Sequence, residues 1–157
     1  MRKKIITPLQ QQTSPIDQEW LTIENLAEVE ITSEDAEHPV EFALLDGQDK
    51  GWLAAAAGKQ TIRLVFTHPQ QLRRIWLSFE ETDIERTQEY DLRWSPDGGQ
   101  SFAEIVRQQW NFSPRGATRQ TEDYQVELQG VTILELNIIP DISGGEALAS
   151  LKEWRLA

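Results

Sequence analysis

One pattern recurs along this chain: an apolar residue at every second position over a short run, followed by a turn. Ile62, Leu64 and Phe66 share a face in this way, as do Ile75, Leu77 and Phe79, then Tyr90, Leu92 and Trp94, then Tyr124, Val126 and Leu128, then Leu134, Leu136 and Ile138. Side chains of an extended backbone alternate between two faces, so a period of two predicts strands with one buried side. Weaker versions over 27–32, 40–44, 101–108 and 150–156 bring the expected total to eight or nine strands. Short strands separated by turns, without a long helical period, predict an all-β antiparallel β-sandwich near the eight strands of a jelly roll. The first 25 residues read differently. Ser14-Pro15-Ile16-Asp17 resembles a helix start with Pro in the first turn, which predicts an arm or short helix over 1–25 ahead of a domain over 26–157.

With 157 residues the chain can bury one sizeable core. It has no cysteine, which removes disulfides, thiol nucleophiles and Cys-ligated metals from consideration. Fifteen Lys plus Arg stand against 26 Asp plus Glu, a net charge of -11 that opposes phosphate backbones and anionic lipid surfaces at long range. Nucleic acid is therefore not expected as a partner. The basic start Met1-Arg2-Lys3-Lys4 is followed by Gln10-Gln11-Gln12, not by an apolar run, and no stretch reaches spanning length. A cytoplasmic protein with no membrane span is expected.

Several motifs follow one another in a recognisable order. Asp46-Gly47-Gln48-Asp49-Lys50-Gly51-Trp52 is succeeded by the strand 61–66 and then by Leu72-Arg73-Arg74-Ile75. Gln88 to Ser95 runs into Pro96-Asp97-Gly98-Gly99-Gln100-Ser101-Phe102, and the chain closes on Leu151-Lys152-Glu153-Trp154-Arg155-Leu156. This order resembles the factor 5/8 type C (discoidin) domains, galactose-binding-like β-sandwiches, over residues 26–157. The resemblance implies a non-catalytic module that binds glycans, phospholipid surfaces or proteins through loops at one end of the sandwich. It also implies a structural calcium ion held by the Asp-Gly loop and the last strand, here Asp46, Asp49 and Glu153, with no other cofactor required. Oxygen ligands suit calcium, yet Asp46-Gly47 also reads as a simple tight turn.

The segment Gln108-Gln109-Trp110-Asn111-Phe112-Ser113-Pro114-Arg115-Gly116 has the composition of a ligand loop. Rings stack on sugar faces while amides and guanidinium groups bond hydroxyls, so Trp110, Asn111, Phe112 and Arg115 are the candidate ligand-binding residues; Trp110 and Phe112 fit core positions at a strand end equally well. Arg63, Arg74, Trp76 and Arg93 lie opposite the apolar faces of their strands and form an alternative partner-binding surface if those strands are neighbours. Ser95-Pro96-Asp97-Gly98-Gly99-Gln100-Ser101-Phe102 matches the Asp-box spacing of sialidase propellers, but a single copy reads as a hairpin. His38 and His68 each precede a proline, and neither belongs to a metal or nucleophile motif. No catalytic constellation emerges. The expectation is a binding module for a carbohydrate or related polar ligand, with a protein-interaction domain as the alternative.

Overall fold

The computed structural model describes residues 19–47 and 50–157. They form two four-residue helices, α1 (Ile23–Leu26) and α2 (Glu41–Leu44), and eight strands: β1 (Ala27–Ile31), β2 (Trp52–Leu53), β3 (Gln60–Glu80), β4 (Arg86–Ser95), β5 (Ala103–Phe112), β6 (Arg119–Ile139), β7 (Ser150–Leu151) and β8 (Glu153–Leu156). Every pairing is antiparallel. The all-β sandwich expected from the alternation is what the chain adopts.

Two strands of 21 residues organise it. β3 and β6 pair along their whole length, but the ladder slips between Val65 and Arg74. Pro69 has no N–H to give to the ladder there, and Gly130 on the opposing strand has φ 69, so both chains turn a corner together. On one side of this corner the order is β1-β3-β6-β4-β5; on the other, β8 pairs with the second half of β3, which pairs with the first half of β6. A five-stranded layer thus lies over a three-stranded one. The bend is why four of the predicted strands merge into two.

The apolar faces meet between the layers. Ile62, Leu64, Leu92, Leu134 and Leu136 come from the larger sheet and Ile75, Leu77, Phe79, Trp154 and Leu156 from the smaller, each fully buried. Phe79 packs on Tyr90 across the gap with ring centroids 5.0 Å apart. A buried side chain of this kind contributes about 1.5–3 kcal/mol relative to exposure, so the alternation that marks the strands also supplies the core.

Two local expectations are corrected. The predicted strand over 40–44 is α2, because Val40, Ala43 and Leu44 bury one helical face at i, i+3 and i+4. The final strand is split at Lys152, whose N–H bonds Ser78 O, and β7 pairs separately with β2. Gly51 makes that ribbon possible: its φ is 73, and a Cβ there would lie 2.6 Å from the Leu151 carbonyl. Ahead of residue 26, Ile23 is 2% exposed and Leu21 lies against the core. Residues 1–18 of the predicted arm or short helix lie outside the described residues.

Candidate functional site: a polar seam between two sheet edges

β5 is the edge of the larger sheet, and the first half of β6 is an edge of the smaller one. The turn 113–118 joins them and so crosses from one layer to the other. Between these two edges the sandwich is filled by polar side chains at inward positions, where the alternation elsewhere places leucine and isoleucine. Gln88 and Tyr90 come from β4, Gln108 and Trp110 from β5, and Gln120, Glu122 and Tyr124 from β6.

These groups are tied loosely across the layers. Gln88 Nε2 donates to Gln120 Oε1 at 3.3 Å, and Gln120 Nε2 to Glu122 Oε1 at 3.4 Å. The Tyr90 and Tyr124 hydroxyls bond each other. Burial pushes both phenols above their ordinary value, and the nearby Glu122 charge adds to the effect. Both therefore stay protonated; one hydroxyl donates to the other, and Gln108 also bonds the Tyr124 hydroxyl. Trp110 is half-buried and packs against the core, and its Nε1–H is buried with no partner among the described residues. An unmet buried donor costs about 1–3 kcal/mol.

A rigid knot closes one end of the seam. The Arg86 side chain is wholly buried, with Nε 2.7 Å from Glu81 Oε1 and Nη1 donating to Pro140 O at 2.8 Å and Gln88 Oε1 at 3.3 Å. Its guanidinium lies 4.8 Å from the centre of the Phe112 ring. Glu81 N–H bonds Thr118 O and Ile142 N–H bonds Thr87 O. Three loops, 81–85, 113–118 and 140–149, are thereby fixed around one arginine.

This arrangement sorts the predicted ligand residues. Trp110 faces the seam; Asn111 points the other way along the strand, is exposed, and bonds the Thr87 hydroxyl. Arg115 is exposed in the turn at the seam's closed end. Phe112 is a correction: at 0% exposure it is core, stacked under Arg86, and has no face to offer a ligand. Gln108, Gln120, Glu122 and Tyr124 escaped sequence reasoning.

The alternative arginine surface does not assemble. Arg63 and Arg93 flank Glu135 on the outer face of the larger sheet, whereas Arg74 and Trp76 lie on the outer face of the smaller sheet. Arg74 is buried and holds Asp123 through Nε at 2.8 Å and Nη2 at 2.6 Å, with Trp20 stacked on it. Trp76 carries another buried indole N–H without a partner, as does the core residue Trp154.

Of the three calcium candidates, Asp49 lies outside the described residues. The exposed Asp46 carboxylate is 3.3 Å from Arg155 Nε, and Glu153 is half-buried on β8, opposite Ser78. Among the described residues no three His, Asp or Glu side chains are grouped to hold a metal. His38 bonds Asp35 at 2.8 Å, and His68 is exposed. The Asp-box segment is a hairpin: Asp97 accepts from Ser95 Oγ, Ser101 N and Ser101 Oγ, bonds that hold its carboxyl down at about 2.

No family model matches the sequence, and no curated protein does. Solved structures do match in shape. The chain has the galactose-binding-like fold. A family 32 carbohydrate-binding module from Clostridium perfringens NanJ, solved with galactose, superposes with a TM-score of 0.64 at 14% identity, covering 87% of this chain and 97% of that one. A second Clostridium perfringens module, CpGH89CBM32-5, solved with GalNAc-β-1,3-galactose, gives 0.61 at 20% identity, covering 87% and 98%. A pectin-binding carbohydrate-binding module gives 0.59 at 18%, covering 83% and 89%. The likeness spans both layers of this sandwich.

Proposed function

We propose that this chain is a non-catalytic module that binds a neutral carbohydrate at the seam, with Trp110 as its platform and Gln108, Glu122 and the Tyr124 hydroxyl as hydroxyl-binding groups, and Arg115 reaching over the closed end. The observation that carries the reading is the half-buried Trp110 with its unpartnered N–H beside a row of amide, carboxylate and phenol groups. Flat apolar surface next to planar polar groups is what a sugar ring requires. The structural neighbours solved with galactose and with GalNAc-β-1,3-galactose support this class, and the four ordered sequence motifs support a place on the discoidin branch of the fold.

Charge selects among sugars. With a net charge of -11 and Glu122 in the seam, an acidic glycan is repelled both at long range and on contact. The clefts at the opposite edge, about 290 and 240 Å³ beside α2, contain no aromatic ring and are rimmed by Glu24 and Glu41 or Asp46, so they offer a sugar no platform. A protein-docking surface built from Arg63, Arg74, Trp76 and Arg93 loses support because the set is divided between two faces and its arginines are already engaged with acids.

A glycan array probed with the labelled protein tests the proposal. Binding should fall on neutral, galactose-type glycans and disappear in Trp110→Ala while Arg74→Ala retains it. Binding confined to acidic glycans, or unchanged in Trp110→Ala, would overturn it.

A further inference from the structure

We infer that Arg155 occupies the place of the metal ion in this chain, so that the Asp-Gly loop is fastened by a guanidinium and needs no calcium. The resemblance noted in the sequence directs a cation to the loop after α2 and to the last strand, and the structure shows what the oxygens there already hold. Arg155 on β8 is 6% exposed. Its Nη1 donates to Ala43 O at 2.9 Å and to Trp154 O at 3.1 Å, its Nη2 to Leu45 O at 3.0 Å, and its Nε lies 3.3 Å from Asp46 Oδ1.

The donor set explains the substitution. α2 is a single turn, so its last carbonyls have no helical partner and must be met from outside. Two of the acceptors beside it are the carbonyls of Ala43 and Leu45, and the carboxylate of Asp46 follows directly in the chain. Carbonyls plus a carboxylate are hard-oxygen ligands, suited to calcium, which gathers about six to eight of them. Here a planar cation that stays protonated at every physiological pH takes the same oxygens through several N–H groups at once. A divalent ion could reach them only within a few ångströms of that fixed positive charge, where repulsion replaces attraction. The oxygens of Ala43, Leu45 and Asp46 as placed therefore fit a guanidinium and leave no room beside it for calcium.

The consequence is a loop anchored by the chain itself. Arg155 ties β8 to the segment 43–46 and, through it, to the start of the described chain, since Leu21 N–H bonds Leu156 O next door. Replacing Arg155 with alanine frees the oxygens and removes the repelling charge, which should convert the site from metal-blind to metal-responsive.

Thermal unfolding of the full chain in excess chelator and in millimolar calcium provides the test. The wild type should melt at the same temperature in both, because a ligand that binds only the folded state must raise the midpoint. Arg155→Ala should melt lower in chelator and recover by about 5 °C or more in calcium but not in magnesium, which demands a smaller, stricter shell. Arg155→Lys, which keeps a positive charge, should stay insensitive to calcium and serves as the readout if the alanine variant does not fold. A calcium-induced rise in the wild type, or in Arg155→Lys, would overturn the inference; so would a folded Arg155→Ala that ignores calcium.

Discussion

Glu135 and Glu122 belong to the same strand, β6, yet they live in opposite circumstances. Glu135, 2% exposed on the outer face of the larger sheet, accepts from Arg63 Nε at 2.8 Å, from Arg93 Nε at 3.0 Å and from Asn137 Nδ2 at 2.9 Å, and Arg63 extends the row to Glu30 at 3.2 Å. Burial alone would raise its carboxyl, but the bonds from Asn137 and Arg63, with the charges of Arg93 and Arg63, outweigh it and hold the group below its ordinary value. Glu122, on the inner face at the seam, receives one long bond from Gln120 at 3.4 Å, and the Trp110 N–H has no acceptor among the described residues. Polarity buried to hold a sheet together is saturated, whereas polarity kept for a ligand leaves donors and acceptors unspent. That contrast separates the arginine row, which sequence reasoning offered as a partner surface, from the seam.

The contrast can be broken most forcefully at Arg86, the knot that supports the seam. Arg86→Met leaves Glu81 and the Pro140 carbonyl without their buried partner and should cost about 3–5 kcal/mol, lowering the melting temperature by about 10 °C and abolishing sugar binding with it. Glu135→Ala should be the next largest, about 2–3 kcal/mol by chemical denaturation, since it strips the bonds from two arginines and an amide; sugar affinity should be untouched, because the row is structural. Trp110→Ala should do the reverse, weakening affinity at least about tenfold in calorimetry while costing less stability than Glu135→Ala. Tyr124→Phe, which removes a single hydroxyl, should weaken binding by about three- to tenfold and cost about 1 kcal/mol of stability, because it takes the partner of the buried Tyr90 hydroxyl.

Acid sharpens the same comparison with a smaller effect. Asp97 and Glu135 both have folded-state values below their ordinary ones, Asp97 falling from 3.8 to about 2. Each lends stability that is complete above the ordinary carboxylate range and disappears as pH falls through the depressed value. Stability measured from pH 6 downward should therefore hold until the carboxylate range and then decline. Glu135→Gln should show a shallower decline than the wild type over that window; an identical curve would mean that the arginine row contributes nothing.

The layers of this fold were legible because alternation reports burial directly: Ile62, Leu64 and Phe66, or Ile75, Leu77 and Phe79, all proved to be core. The corner was not, because Pro69 and Gly130 look like ordinary turn residues until β3 and β6 are seen to pair through them. The region of the site was visible in the aromatic and polar mix around Trp110. Phe112 could not be sorted from it, since an aromatic at an inward strand end serves core and ligand alike and only the Arg86 stack decides. The seam itself was hidden for a different reason. Gln108, Gln120 and Glu122 are unremarkable one by one, and they become a site only when the turn 113–118 carries the chain from one sheet edge to the other. Arg155 was hidden likewise, because nothing in Trp154-Arg155-Leu156 says that the oxygens of residues 43–46 lie opposite.

The most direct test of the central claim is the indole N–H signal of Trp110, one of six tryptophans, followed by NMR during titration with a neutral galactoside that the array identifies as bound. The signal is assigned by its absence from Trp110→Phe. A ligand seated on the Trp110 ring changes the surroundings of this N–H, so the Trp110 resonance should shift progressively and saturate while that of Trp76, equally unpartnered but on the outer face of the smaller sheet, stays in place. A saturating titration that leaves Trp110 where it began and moves Trp76 instead would contradict the assignment of the seam as the binding site.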